Sequence, residues 1–244
     1  MKPILIISFS ILGLLSCHSK TNDNSKRLPY LAPDEEKGIR EILAFYGGKC
    51  DYRINKQFST NGQNETSFLI KLSGSKLVDI TPEKANLICA NLAYLFFRNL
   101  STAKKNYDYI QCELEITGGP NVGGQFTIPQ LEIVNKKFAT IYKVAEIIKN
   151  KQFDQLKDLL VIDSSFIVYE KPKLIENIRK VESSYSKVVK FVPFGFAFLK
   201  YNNGNEILHL SGSLDRESTT GTALSINVDP NSEKEVIFSM NYKY

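Results

Sequence analysis

The chain has 244 residues, a formal charge of +5 from 31 Lys and Arg against 26 Asp and Glu, 43% apolar residues, four cysteines, two histidines and no tryptophan. That apolar fraction is enough to fill a core and excludes a disordered bulk. The positive charge is spread along the chain rather than gathered in a tail, so it gives no pointer to nucleic acid. Two histidines are too few for a His-rich metal centre, and no metal-ligand set, cofactor motif or catalytic constellation is assigned.

Residues 1–16, MKPILIISFSILGLLS, carry one cation at Lys2 followed by an apolar stretch from Ile4 to Leu15. A helix rising 1.5 Å per residue needs about 20 apolar residues to cross a membrane, so this stretch reads as the core of a signal peptide. The segment ends Leu14-Leu15-Ser16-Cys17, which resembles the lipobox of bacterial lipoproteins. The resemblance implies cleavage after Ser16, lipidation of the Cys17 thiol and acylation of the new amino terminus, which makes a membrane the first partner. His18 rather than Asp follows the cysteine, which by resemblance to Gram-negative sorting directs the protein to the outer membrane, facing the periplasm or the cell surface. Several acyl chains hold a protein stably where a single one holds it only marginally. Residues 17–34 then read as a polar tether with Pro29 and Pro33 and no apolar periodicity.

The folded part is expected to be α+β, with helices packed on antiparallel sheets in two domains, residues 35–124 and 125–244. The alternative is a single domain. In the first, Ile39, Ile42, Leu43 and Tyr46 mark a short helix ended by Gly47-Gly48, and alternation over Cys50–Phe58 and Ser67–Leu72 predicts a hairpin. Thr81 and Pro82 are read as the cap and first residue of a helix reaching about Leu100. Tyr107–Ile116 alternates as a further strand. Gly118–Gly124 lacks the lysine and following helix of a phosphate-binding loop, so it is a turn or a domain junction.

In the second part, Leu131, Val134, Phe138, Ile141, Ala145 and Ile148 recur at three- and four-residue intervals, which predicts one continuous helix from Pro129. A short helical piece follows at Phe153–Val161, a brief strand at Ser165–Tyr169 and a third helix at Pro172–Tyr185. Four strands end the chain: Val188–Tyr201 with a bulge at Pro193 and Gly195, then Glu206–Leu214, Thr222–Val228 and Glu235–Tyr242. This order of a long helix, two shorter helices and a strand meander, together with Lys149–Leu156 at the helix break, resembles the NTF2-like and cystatin-like superfamily. The resemblance implies a cone between sheet and helices that serves as a binding module or a cofactor-free enzyme site.

Cys50, Cys89 and Cys112 fall on apolar faces and read as buried thiols, with a Cys50–Cys112 disulfide across neighbouring strands as the alternative. His209 lies among Ser and Asn on the polar face of its strand and reads as a solvated, dispensable residue. Asp215-Arg216-Glu217 reads as a solvated turn. The function expected from these readings is a lipid-anchored envelope protein with a non-catalytic module that binds an apolar small ligand or an envelope protein. The alternative is a cofactor-free NTF2-like enzyme acting on a small apolar ligand.

Overall fold

A computed structural model describes residues 30–58, 64–161, 170–200, 204–218 and 220–243. The lipobox at Cys17 and the strand expected at Ser165–Tyr169 lie outside them. Residues Leu31–Tyr244 form one compact unit of α+β class, built on two four-stranded sheets.

The first helix, α1 (Pro33–Tyr46), ends at Gly47 with φ 64°, the left-handed turn for which the glycine pair is suited. It leads into the expected antiparallel hairpin of β1 (Lys49–Phe58) and β2 (Asn64–Ser73). Two helices then follow where one was expected. A short α2 (Lys76–Ile80) precedes α3 (Ala85–Phe97), with a single 3-10 turn at Pro82–Lys84 between them. Thr81 is therefore not an N-cap: its hydroxyl donates back to the Leu77 carbonyl at 2.9 Å and closes α2. The crossover through α3 returns the chain parallel to β2, as β3 (Tyr109–Leu114), so the first sheet is mixed rather than wholly antiparallel. The final strand, β4 (Val122–Thr127), completes the order β1-β2-β3-β4. Gly123 and Gly124, expected in a turn, are paired in β4 opposite Glu113 and Cys112.

The next helix, α4 (Ile128–Lys149), starts directly from β4 with no linker, so the boundary expected near Gln125 falls within a paired strand. Thr127 caps it: its Oγ1 accepts from the Gln130 amide at 3.3 Å, while Gln130 Oε1 accepts from the Thr127 amide at 3.0 Å. That reciprocal box fixes the helix start, and the six apolar positions expected on its inner stripe are all buried. Then come α5 (Leu156–Leu159), α6 (Lys171–Ser183) and the antiparallel meander β5 (Val188–Lys200), β6 (Glu206–Arg216), β7 (Thr222–Val228) and β8 (Ile237–Lys243).

From Ile88 to Phe97 every residue of α3 is buried, because the helix packs against β3 and β4 on one side, β5 on another, and α1 and α4 besides. A helix apolar all round has no solvent face and must be enclosed in this way. The β5 bulge at Pro193/Gly195 is its docking point. At Gly195, with φ 137°, a Cβ would stand 2.2 Å from the Leu87 carbonyl oxygen of α3. The Asn91 side-chain amide donates to the Pro193 carbonyl at 3.1 Å and to the Tyr46 hydroxyl at 2.8 Å, tying β5, α3 and α1 together.

Candidate functional site

The strongest concentration of buried charge lies where α6 meets the meander. Along β6, Leu208, Leu210, Gly212 and Leu214 point inward, and Arg216 continues that phase. Its guanidinium is fully buried against Glu182 of α6, itself only 6% exposed. Both of its amino groups bond the Glu182 carboxylate, Nη1 at 3.3 Å. Nη1 also donates to the Ser186 carbonyl at 2.6 Å, and Nη2 to Thr222 Oγ1 at 3.0 Å and the Tyr242 hydroxyl at 2.6 Å. Tyr242 donates in turn to Glu182, and the Tyr185 ring lies 5.0 Å from the guanidinium. Burial, then the bond to Glu182, pushes the Tyr242 phenol well above its ordinary value.

The reading of Asp215-Arg216-Glu217 as a solvated turn is thus overturned at its central residue. Three charges in a row look like a loop, but Arg216 keeps the inward phase of its strand. Glu182 likewise sits on the stripe of Ile175 and Ile178 in α6. A charge in phase with two apolar patterns was the available signal. The cluster is a paired, fully hydrogen-bonded ion pair holding α6 to β6, β7 and β8, and it leaves no open position for a ligand.

His209 lies on the opposite face of β6, as its alternation implies, but it is half-buried rather than solvated. Its Nδ1 is 2.8 Å from Asn227 Oδ1, which places a proton on Nδ1, and Asn227 Nδ2 donates to Ser239 Oγ at 2.7 Å. The row follows the cross-strand register of β6, β7 and β8. No carboxylate bonds the ring among the described residues, so the histidine is held by an amide.

The three thiols are free, Cys89 and Cys112 buried and Cys50 half-buried. Burial pushes Cys50 and Cys89 up to about 12 and Cys112 well above its usual value. The Cys50–Cys112 disulfide is excluded by topology. Cys50 sits opposite Leu72 and Cys112 opposite Ile70, with β2 between their strands. Two inter-strand spacings come to about 9.6 Å, beyond the ~7 Å Cα separation that a disulfide spans. Sequence alternation gives the face of each cysteine but not the order of the strands.

Other buried ionisable groups are also engaged. Glu35 accepts from the Tyr107 hydroxyl at 2.5 Å and the Ala32 amide at 2.9 Å, and Lys137 donates to the Ser232 carbonyl at 2.5 Å. An open cleft of about 430 Å³ beside the start of α1 is lined by Pro33, Asp34, Ser101, Thr102 and Asn106 among others. Its carboxylate is occupied: Asp34 Oδ2 accepts from the amide and the hydroxyl of Ser101, both at 3.0 Å. Those bonds outweigh the upward push of burial and hold the Asp34 carboxyl below its usual value. Among the described residues no group of three His, Cys, Asp or Glu side chains is gathered to hold a metal, and no helix is long and apolar enough to cross a membrane. Compared with known proteins, the chain matches no family model, no curated protein and no solved structure.

Proposed function

We propose that this chain is a lipid-anchored protein of the cell envelope, attached through Cys17, and that its folded part acts as a non-catalytic binding or envelope-associated module. The anchor rests on Leu14-Leu15-Ser16-Cys17 directly after a cationic and apolar leader. His18 after the cysteine favours the outer membrane. The compact unit begins at Leu31, and the residues between it and Cys17 reach at most about 50 Å when fully extended. The module therefore works close to the bilayer.

The observation that carries the non-catalytic reading is that the buried ionisable groups of the fold already serve it. Glu182, Arg216 and Tyr242 bond one another, Glu35 bonds Tyr107, and Lys137 bonds a backbone carbonyl. Acid–base catalysis needs a group within reach of a substrate and free to change protonation. His209 and Asn227 form a fixed pair on a sheet face. The thiols are neutral at physiological pH, which also protects them from oxidation in an exported protein.

Mass spectrometry of the mature amino-terminal peptide tests the anchor. The expected result is a peptide starting at Cys17 and carrying the added mass of its acyl groups. An unmodified Cys17, or a mature start elsewhere, would refute it.

A further inference from the structure

The free edge of the first sheet has features that no role within the monomer explains. β1 pairs with β2 along its whole length, from Lys49 opposite Ser73 to Phe58 opposite Asn64, with no bulge or proline in β1. Among the described residues its other edge has no strand partner. A long, straight edge is a template for another strand, and proteins commonly blunt such edges with bulges, prolines or inward charges. This edge carries one such charge, Lys56, near its end: Lys49, Asp51, Arg53, Asn55 and Gln57 alternate with Cys50, Tyr52, Ile54, Lys56 and Phe58, which leaves residues 49–55 without an inward charge. The second set shares the helix-facing side, where Tyr52 stacks on Phe68, yet Ile54 is 44% and Phe58 76% exposed.

We infer that this edge is an interface for a second copy of the chain, the two β1 strands pairing antiparallel about Tyr52. A two-fold axis there, perpendicular to the sheet, keeps the helices of both copies on one side. It sets Asp51 of each copy opposite Arg53 of the other and Cys50 opposite Ile54. Shifting the axis to Asp51 sets that carboxylate against itself and Lys49 against Arg53. Shifting it to Arg53 sets two guanidinium groups together. Of these three registers only the one about Tyr52 makes both charge contacts attractive, and directly opposed charges are a main term in cross-strand pairing. Arg53 makes no ion pair among the described residues. Asp51 bonds Lys49 at 3.0 Å, but both side chains are more than half exposed, so the exchange of partners costs little. The joined strands would make one eight-stranded sheet with an isologous contact, the common form of closed dimer.

Sedimentation equilibrium of the full-length chain in density-matched detergent tests this, and it is independent of whether Cys17 carries lipid. The expected mass is twice that of one chain. Asp51→Arg and Arg53→Asp should each weaken the dimer at least about tenfold, and the double exchange should restore it, while circular dichroism stays unchanged because both positions are exposed. Hydrogen exchange gives a second measure, since those amides of residues 49–55 that point away from β2 should lose protection on dilution of the unmodified chain. A monomer throughout, a dimer indifferent to the single exchanges, no rescue by the double, or protection independent of dilution would each overturn the proposal.

Discussion

Replacing Arg216 with Ala removes a guanidinium that is fully buried and leaves the Glu182 carboxylate, 6% exposed, with Tyr242 as its remaining donor in the cluster. Breaking a buried ion pair from one side typically costs about 3–5 kcal/mol, because the partner charge stays buried without compensation. The lost bonds to Thr222 and the Ser186 carbonyl keep the expected value within that range rather than below it. In urea, at a slope of about 2–3 kcal/mol per M, the midpoint followed by far-ultraviolet circular dichroism should fall by roughly 1–2.5 M. Substituting both partners, as Arg216→Met with Glu182→Leu, should cost less than Arg216→Ala alone, because no unpaired charge remains. A solvated turn would instead tolerate Arg216→Ala within about 0.5 kcal/mol. A midpoint shift that small, or a double variant worse than the single, would refute the reasoning.

Gly195→Ala should destabilise by at least about 2 kcal/mol in the same assay, since its Cβ would meet the Leu87 carbonyl at 2.2 Å and its φ of 137° disfavours a side chain. Gly204→Ala, with φ 83° and open space around its Cβ, should cost only about 1–2 kcal/mol of backbone strain. His209→Ala should cost about 0.5–1.5 kcal/mol, the net value of one hydrogen bond, because the ring is half-buried on Asn227; circular dichroism melts would show the small drop. From pH 7 stability should be flat to about pH 9 and fall above it. Cys89 is raised from 9.0 to about 12 by burial, Cys112 is likewise raised well above its usual value by burial, and the Tyr46, Tyr94 and Tyr107 phenols are raised above 10.0. Groups whose folded value is raised contribute stability that is complete below the unfolded value and is lost as pH rises through the folded one. Urea midpoints measured from pH 7 to 11 check this, and a midpoint rising above pH 9 would contradict it.

Local pattern alone determined much of this protein. The three- and four-residue spacing of α4 fixed its inner stripe and Gly47-Gly48 fixed the end of α1, because each depends on contacts within a few residues, whereas that spacing marks α4 only from Pro129 and it is the structure that shows the Thr127–Gln130 box at its start. The bulge at Pro193 and Gly195 was legible for the same reason, though not its purpose. Tertiary structure decided the rest. The parallel pairing of β2 with β3 places Cys50 and Cys112 two strands apart, and no alternation pattern encodes strand order. Thr81 caps nothing because α2 forms ahead of it and takes its hydroxyl, a competition between two local preferences that the packed chain resolves. Arg216 shows the reason most directly: a charged side chain in an inward phase is costly until a partner is supplied, and that partner, Glu182, comes from a different element and reaches it only through the fold.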